Sequence, residues 1–157
     1  MDLGYIKELI KKHEGIRHFK YLDSLGIPTI GCGFNLQRKD APSKIEAVGA
    51  DFNKILNGTQ SLTDKQIDLL LQEDIHSCES QLKKLFPDLE QMANNISAVL
   101  VDLCFNLGYQ KLLTFRHFIS AIRNQDYQEA TNQLKSSLWC KQVKNRCTEN
   151  CAILLQT

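Results

Sequence analysis

The sequence has little of what marks linkers, membrane spans or nucleic-acid binding. It has only 3 prolines and 8 glycines among 157 residues, so little of the chain can serve as linker. No apolar run approaches the roughly 20 residues of a membrane-spanning helix. Its 19 lysines and arginines face 18 aspartates and glutamates, and a net charge of +1 gives no reason to expect a basic nucleic-acid-binding surface. We therefore expect no nucleic-acid partner and no stable membrane association.

The N-terminal segment lacks the apolar core of a signal peptide. It reads MDLGYIKELIKKHEG, in which charged and apolar residues alternate. Either the protein is not exported by a leader of its own, or a leader has been removed.

The cysteines do not have the spacing of metal ligands. The 6 cysteines include no CxxC pair, and the histidines are not at zinc-finger spacing from them, so no metal site is expected. Cys32 and Cys104 stand among apolar residues and are predicted to be small buried hydrophobic residues. The sequence does not decide whether a disulfide forms near the C-terminus, for example between Cys140 and Cys147, because disulfide formation depends on the redox state of the cellular compartment.

Helical periodicity dominates the rest of the sequence, around one short region of strand character. Residues 3–13 carry apolar side chains at helical spacing. From Phe19 to Leu36, turn residues separate short apolar runs, which predicts a small hairpin or meander. One helix is predicted from Ser43 to about Leu56.

A long helix is predicted next, over residues 63–86. Thr63 as N-cap places Gln66 at the third helical position, which is a capping box, and Pro87 ends the pattern. At 1.5 Å per residue this helix spans roughly 33 Å, more than one small lobe needs. Everything after Pro87 is predicted to be helical, with a buried central helix over 96–107 and further helices over 115–122, 127–138 and 145–155.

The predicted fold is therefore α+β and mainly helical, in a single domain of residues 1–157. A small N-terminal lobe of about residues 1–60 holds a short antiparallel sheet. A connecting helix of about 63–86 joins it to an all-helical C-terminal lobe of about 87–157. A chain of 157 residues is long enough for such a core.

Three polar residues around the predicted turn are candidates for catalysis. Glu14 ends the first helix, Asp23 lies in the turn, and Thr29 opens the next strand. Cleaving a glycosidic bond requires a proton for the leaving oxygen and a nucleophile at the anomeric carbon. A carboxylic acid kept neutral by partial burial can supply the proton, and an ionised carboxylate can position water. On spacing alone, surface or capping roles are the commoner interpretation of such residues.

Two motifs give this spacing a specific interpretation. HEGIRHFKYLD at 13–23 and PTIGCGF at 28–34 resemble the catalytic segment of the phage-type (endolysin-like) lysozymes. That family carries Glu-Gly-x-Arg, an Asp nine residues after the Glu, and then Thr-Ile-Gly-x-Gly. The similarity continues through SLTDKQ at 61–66, FNLG at 105–108 and WCKQVKNR at 139–146. It covers nearly the whole chain in the order of the motifs and implies a lysozyme-like fold.

The resemblance implies a role for each catalytic candidate. Glu14 would be the general acid, Asp23 would orient or activate the attacking water, and Thr29 would help to hold that water. The family resemblance also implies an inverting reaction. Arg146 would reach from the C-terminal lobe toward Glu14 and fix its carboxyl group through a charged hydrogen bond.

Four further residues are candidates for sugar binding. Asn106, polar beside Gly108, could bond a sugar amide, and Phe105 is either cleft wall or plain core. Asn35 either faces the cleft or serves a turn. Gln133 lies near a sugar-contacting position of the family. Trp139 is expected in the core rather than as a sugar-stacking platform.

The leading hypothesis is a lysozyme (muramidase) that hydrolyses the β-1,4 bond between N-acetylmuramic acid and N-acetylglucosamine in bacterial peptidoglycan and so lyses cell walls. Acid and base groups suffice for this reaction, so no metal or organic cofactor is expected. We expect a monomer whose partner is the peptidoglycan strand. Two alternatives stay open: a non-catalytic peptidoglycan-binding or immune recognition module, and a lytic transglycosylase. A phage lysis enzyme made in the bacterial cytoplasm and a secreted antimicrobial enzyme for defence against bacteria are both compatible with the sequence.

Overall fold

The computed structural model describes residues 1–156. Over these residues the chain forms ten α-helices, one short 3-10 turn at Leu89–Gln91 and one three-stranded antiparallel sheet, which confirms the predicted α+β, mainly helical class. The elements, in chain order, are α1 (Leu3–Glu14), β1 (Arg17–Leu22), β2 (Pro28–Gly31), β3 (Phe34–Asn35), α2 (Ala41–Ala47), α3 (Phe52–Leu56), α4 (Asp64–Leu85), α5 (Asn94–Leu107), α6 (Tyr109–Leu112), α7 (Arg116–Arg123), α8 (Tyr127–Lys135), α9 (Leu138–Val143) and α10 (Asn145–Leu154).

The chain divides into two compact units. The first, here called the sheet unit, comprises Lys7–His76. The second, the helical unit, comprises Met1–Ile6 and the chain from Ser77 onward. Across the part of the chain that is described, no helix is both long enough and apolar enough to cross a membrane.

The sheet has one polar face and one apolar face. Its strands lie in the order β1-β2-β3, and Tyr21, Thr29 and Asn35 are direct partners across all three. Cross-strand partners share a face, so these three side chains form one row. Ile30 and Phe34 pair with each other on the opposite face, and both are buried in the core of the sheet unit.

Helix α4 begins with the predicted capping box. The backbone N–H of Gln66 donates to Thr63 Oγ1 at 3.1 Å, and the N–H of Thr63 donates to Gln66 Oε1 at 2.9 Å. The two bonds satisfy N–H groups that a helix start otherwise leaves unpaired. The 22 residues of α4 match the predicted length closely.

Helix α5 is the centre of the helical unit. Its residues from Ile96 to Cys104 are all buried, as the continuous apolar pattern predicted. One of them, Asp102, is charged and has no solvent exposure. Arg146 from α10 pairs with it through two hydrogen bonds of 3.1 and 2.8 Å, and Asn150 donates a third of 2.8 Å. A buried carboxylate needs such partners because its desolvation is costly.

The prediction of one helix over residues 43–56 was wrong. The structure has two helices there, α2 and α3, because Gly49 adopts a φ of +90° and interrupts the helical backbone. Asp51 then starts α3 by accepting the backbone N–H of Lys54 on its side chain. An Asp shortly after a Gly signals a new helix start, and this signal was overlooked.

The helix boundaries near the C-terminus also differ from the prediction. Helix α8 ends at Lys135 rather than at residue 138, because Ser137 caps α9 by accepting the N–H of Cys140. The short helices α6 and α9 were not predicted. Cys140 and Cys147 form the disulfide that the sequence had left open, and it spans the bend between α9 and α10 at Lys144. Cys32 and Cys104 are buried, as predicted.

Candidate active site

The three catalytic candidates all lie in the sheet unit. Glu14 is the last residue of α1, which ends because Gly15 follows with a φ of +75°. Asp23 lies in the loop between β1 and β2, and Thr29 lies within β2. Glu14 and Asp23 are half-buried, whereas Thr29 is only 4% exposed.

Gly33 fixes the space around the Glu14 carboxyl group. Gly33 has a φ of +71°, and a Cβ built on it would lie 2.7 Å from Oε2 and 2.9 Å from Cδ of Glu14. Real Cβ atoms do not approach other atoms so closely, so a side chain at Gly33 would make the Glu14 carboxyl group shift. The second glycine of the Gly-x-Gly motif thus leaves the space in which the proposed acid lies.

Tyr21 lies near both carboxylates. Burial raises the pKa of its phenol, and the negative charge of Glu14 raises it further, as does that of Asp23. Arg17, whose guanidinium carbon lies 4.9 Å from the centre of the Tyr21 ring, opposes this shift. The phenol therefore stays protonated at neutral pH and can donate a hydrogen bond. The charges of Glu14 and Asp23 therefore both act on one hydrogen-bond donor, the Tyr21 phenol.

The Asp23 side chain organises the loop that carries it. Its Oδ1 accepts the backbone N–H groups of Leu25 at 2.8 Å and Ile27 at 2.9 Å. In the backbone of the same loop, the N–H of Asp23 donates to the carbonyl of Ile27, and the carbonyl of Asp23 accepts the N–H of Gly26. Because both side-chain bonds go to Oδ1, Oδ2 stays outside the loop's own bonding and can face a substrate or water.

The Thr29 hydroxyl has a fixed direction. It donates to the Ile27 carbonyl at 2.8 Å, so its oxygen keeps lone pairs with which to accept a hydrogen bond. In the polar row it stands between Tyr21 and Asn35. A water molecule that donates to this oxygen would lie on the same face of the sheet as the Tyr21 phenol.

Asn35 has the turn role that was one of its two expected roles. Its Oδ1 accepts the backbone N–H of Gln37 at 2.7 Å. Its place in the polar row leaves the amide nitrogen on the face that carries Thr29. The sugar contact of Asn35 stays a prediction.

Arg146 lies in the helical unit, where its Nε and one terminal nitrogen bind Asp102. Only 8% of the residue is exposed. The pairing fixes the guanidinium rigidly through a bidentate contact. Its reach toward Glu14 stays a prediction.

The three sugar-binding candidates of the helical unit have different surroundings. Asn106 is exposed, and its Oδ1 accepts the indole N–H of the buried Trp139 at 2.7 Å, which leaves its amide N–H groups for a ligand. Phe105, beside it, is half-buried. Gln133 donates to Glu129 at 2.7 Å and lines a surface cavity of about 260 Å³. Contact of these residues with a sugar is untested.

Sequence reasoning missed Tyr21, although strand alternation could have placed it on the face of Thr29. The glycines at 31 and 33 indicate from the sequence a tight bend or the close approach of another group. The structure identifies the group close to Gly33 as the Glu14 carboxyl group. Among residues 1–156 no group of three or more His, Cys, Asp and Glu side chains is arranged to hold a metal ion.

Comparisons with known proteins find a matching family model and similar proteins in two organisms. The model of the phage lysozyme family matches residues 11–150. “Probable T4-type lysozyme 1” of Dictyostelium discoideum is 25% identical over 150 residues, which cover 90% of this chain and 88% of that protein. “Probable T4-type lysozyme 2” of the same organism is 25% identical over 152 residues, with the same coverage of 90% and 88%. The pre-baseplate central spike protein Gp5 of Enterobacteria phage T4 is 24% identical over 160 residues, which cover 94% of this chain but only 27% of that protein.

Replacing Gly33 by alanine should separate backbone strain from displacement of the carboxyl group. Gly33→Ala and the matched control Gly58→Ala both place alanine at a positive φ, but a Cβ at Gly58 meets no atom within 4 Å. Each variant should lose roughly 1–2 kcal/mol of unfolding free energy. Only Gly33→Ala should also lose most of its activity on bacterial cell walls, because it moves Glu14. Equal activity of the two variants, measured by wall turbidity at matched folded fractions, would contradict the role given to Gly33.

Proposed function

The chain belongs to the phage lysozyme family, and from that premise we propose that it is an inverting muramidase. Membership supports lysozyme activity in general. The finer proposal is hydrolysis of the β-1,4 bond between N-acetylmuramic acid and N-acetylglucosamine in bacterial peptidoglycan. The observation that supports it most is the pairing of Tyr21 with Thr29 across the sheet, together with the charges of Glu14 and Asp23, both of which raise the pKa of the Tyr21 phenol.

Glu14 acts as the proton donor in this proposal. As the bond between the anomeric carbon and the bridging oxygen breaks, the carboxyl proton of Glu14 passes to that oxygen. The absence of a side chain at Gly33 leaves room for the carboxyl group in its present position. This position matters because the proton donor and the bridging oxygen must be aligned before the proton moves.

Asp23 and Thr29 act on the water. The water oxygen attacks the anomeric carbon while one of its protons passes to Asp23. The other proton stays on that oxygen and forms a hydrogen bond to Thr29 Oγ1. The bond between carbon and bridging oxygen breaks as the new bond between carbon and hydroxyl forms. A single displacement of this kind inverts the anomeric configuration. Glu14 is then ionised and Asp23 protonated, and exchange with solvent restores both.

The proposed activity would release broken glycan strands, and the biological use of the enzyme depends on that effect. Broken glycan strands weaken the bacterial wall, and this serves a phage at release and an antimicrobial defence equally. We propose that the enzyme works as a monomer on peptidoglycan strands.

Glu14→Gln should remove activity without removing the fold. Glutamine keeps the size of the side chain beside Gly33 but cannot donate a proton as an acid does. Clearing of a bacterial cell-wall suspension should fall by about 10²- to 10⁴-fold, the usual contribution of a general acid. Circular dichroism and thermal unfolding should match the wild type. Substantial lysis by the folded variant would rule out Glu14 as the acid, and wall binding without turnover by the wild type would favour a non-catalytic recognition module.

Analysis of the released fragments tests the reaction type. Hydrolysis adds one water to each cut bond, so mass spectrometry should find reducing muramic acid ends rather than anhydro sugars. Proton NMR of the first products should show the α anomer, since the substrate bond is β. Anhydro products would instead indicate a lytic transglycosylase, and an initial β anomer would contradict inversion.

A further inference from the structure

The chain contains two Asn-x-Ser/Thr triplets in which the middle residue is not proline. They are Asn57-Gly58-Thr59 and Asn95-Ile96-Ser97. Such a triplet is the acceptor sequence for N-linked glycans, which are attached to the asparagine amide in surface segments of secreted proteins. Triplets of this kind also arise by chance, so the surroundings of each asparagine decide whether the folded protein has room for a glycan.

The first triplet lies on the surface of the sheet unit. Asn57 is the C-cap residue of α3, and all three residues of the triplet are exposed. Gly58 turns the backbone with a φ of +81°, and a Cβ built on it meets no atom within 4 Å. The turn is therefore open beside the asparagine, and a bulky polar group attached there stays in water.

The hydrogen bonds of Asn57 use the oxygen of its side-chain amide and leave the nitrogen available. Asn57 Oδ1 accepts the backbone N–H of Thr59 at 3.1 Å and the Thr59 hydroxyl at 2.6 Å. Within residues 1–156, Nδ2 of Asn57 donates to no other residue. An N-linked sugar replaces one hydrogen on Nδ2 and keeps the amide oxygen, so both bonds from Thr59 survive the modification.

The second triplet is folded into the helical unit and leaves no place for a glycan. It lies in the first turn of α5, and Ser97 has no solvent exposure. Nδ2 of Asn95 donates to the carbonyl of Ile153 at 2.9 Å and to that of Gln156 at 3.2 Å. Both hydrogens of this nitrogen are engaged, so a sugar in place of either would break a hydrogen bond and leave a carbonyl without its donor.

The disulfide between Cys140 and Cys147 is consistent with a secreted protein. Structural disulfides form in oxidising compartments, among them the lumen of the endoplasmic reticulum, and are rare in the cytosol. Acceptor triplets on surface loops belong to proteins that pass through the same lumen. The disulfide lies in the helical unit and the exposed triplet in the sheet unit, so the two features support one route independently.

We propose that Asn57 carries an N-linked glycan and that Asn95 does not. The donor is an oligosaccharide joined to a lipid through a diphosphate, and a transferase of the secretory pathway catalyses the step. A bond forms between Nδ2 of Asn57 and the anomeric carbon of the first sugar. The bond from that carbon to the diphosphate breaks, the lipid diphosphate leaves with its electron pair, and Nδ2 loses one proton. This modification does not depend on the proposed glycosidase activity.

Mass spectrometry of the protein purified from its own source tests the proposal directly. Peptide-N-glycosidase should lower the mass of the intact protein by that of an oligosaccharide. Before that treatment, the glycan should be found on the peptide that contains Asn57, and the peptide that contains Asn95 should be unmodified. The sugar mass itself is the measurement, because the amide of an Asn-Gly sequence also hydrolyses spontaneously to Asp. An intact mass that the glycosidase leaves unchanged, or sugar on Asn95 alone, would overturn the proposal.

Paired variants, secreted from eukaryotic cells behind a cleavable leader, separate the two triplets. Asn57→Gln and Thr59→Ala each destroy the exposed triplet and should lose the whole glycan mass, whereas Thr59→Ser keeps the hydroxyl and should retain it. The matched controls, Asn95→Gln and Ser97→Ala, make the same kinds of change in the buried triplet and should carry the wild-type glycan. Retention of the glycan by Asn57→Gln, or its loss from the folded Ser97→Ala protein, would contradict the assignment.

Discussion

The bonds from Asp23 to its own loop are the constraint on which the sheet unit depends most. Two backbone N–H groups converge on Oδ1 and close the connection between β1 and β2 over five residues. A hydrogen bond in such a solvent-exposed loop contributes about 0.5–1.5 kcal/mol to stability, so the two bonds together contribute about 1–3 kcal/mol. The closed loop fixes the register that sets Tyr21 opposite Thr29. The same carboxylate thus builds the loop and, in the proposed mechanism, supplies its second oxygen to the attacking water.

The proposed chemistry depends on that loop, because the loop carries the Asp23 carboxylate, whose negative charge raises the pKa of the Tyr21 phenol together with that of Glu14. The helical unit has its own polar centre, in which Asp102 binds Arg146 and Asn150. Replacing one partner of such a buried pair usually costs several kcal/mol, since a charge is left unpaired.

The sequence predicted those features that local chemistry determines. Thr63 and Gln66 predicted the start of α4 because a capping box needs only three residues of spacing. The apolar pattern of α5 likewise predicted a buried helix. Features that depend on the backbone conformation or on the identity of a distant neighbour were not predicted. Gly49 interrupted a predicted helix through a positive φ. The glycines at 31 and 33 indicated that some group approaches closely, but not that this group is the Glu14 carboxyl. The catalytic candidates came from resemblance, since spacing alone favoured surface or capping roles for Glu14 and Asp23.

Two substitutions of Asp23 test the central claim most directly. Asp23→Asn keeps a side-chain oxygen for the N–H groups of Leu25 and Ile27 but removes the negative charge. Asp23→Ala removes both. The account predicts that Asp23→Asn unfolds within about 1 kcal/mol of the wild type and that Asp23→Ala loses about 1–3 kcal/mol, while both lose wall-lysing activity. A folded Asp23→Asn enzyme that still clears cell walls at the wild-type rate would contradict the claim that this carboxylate serves both the loop and the reaction.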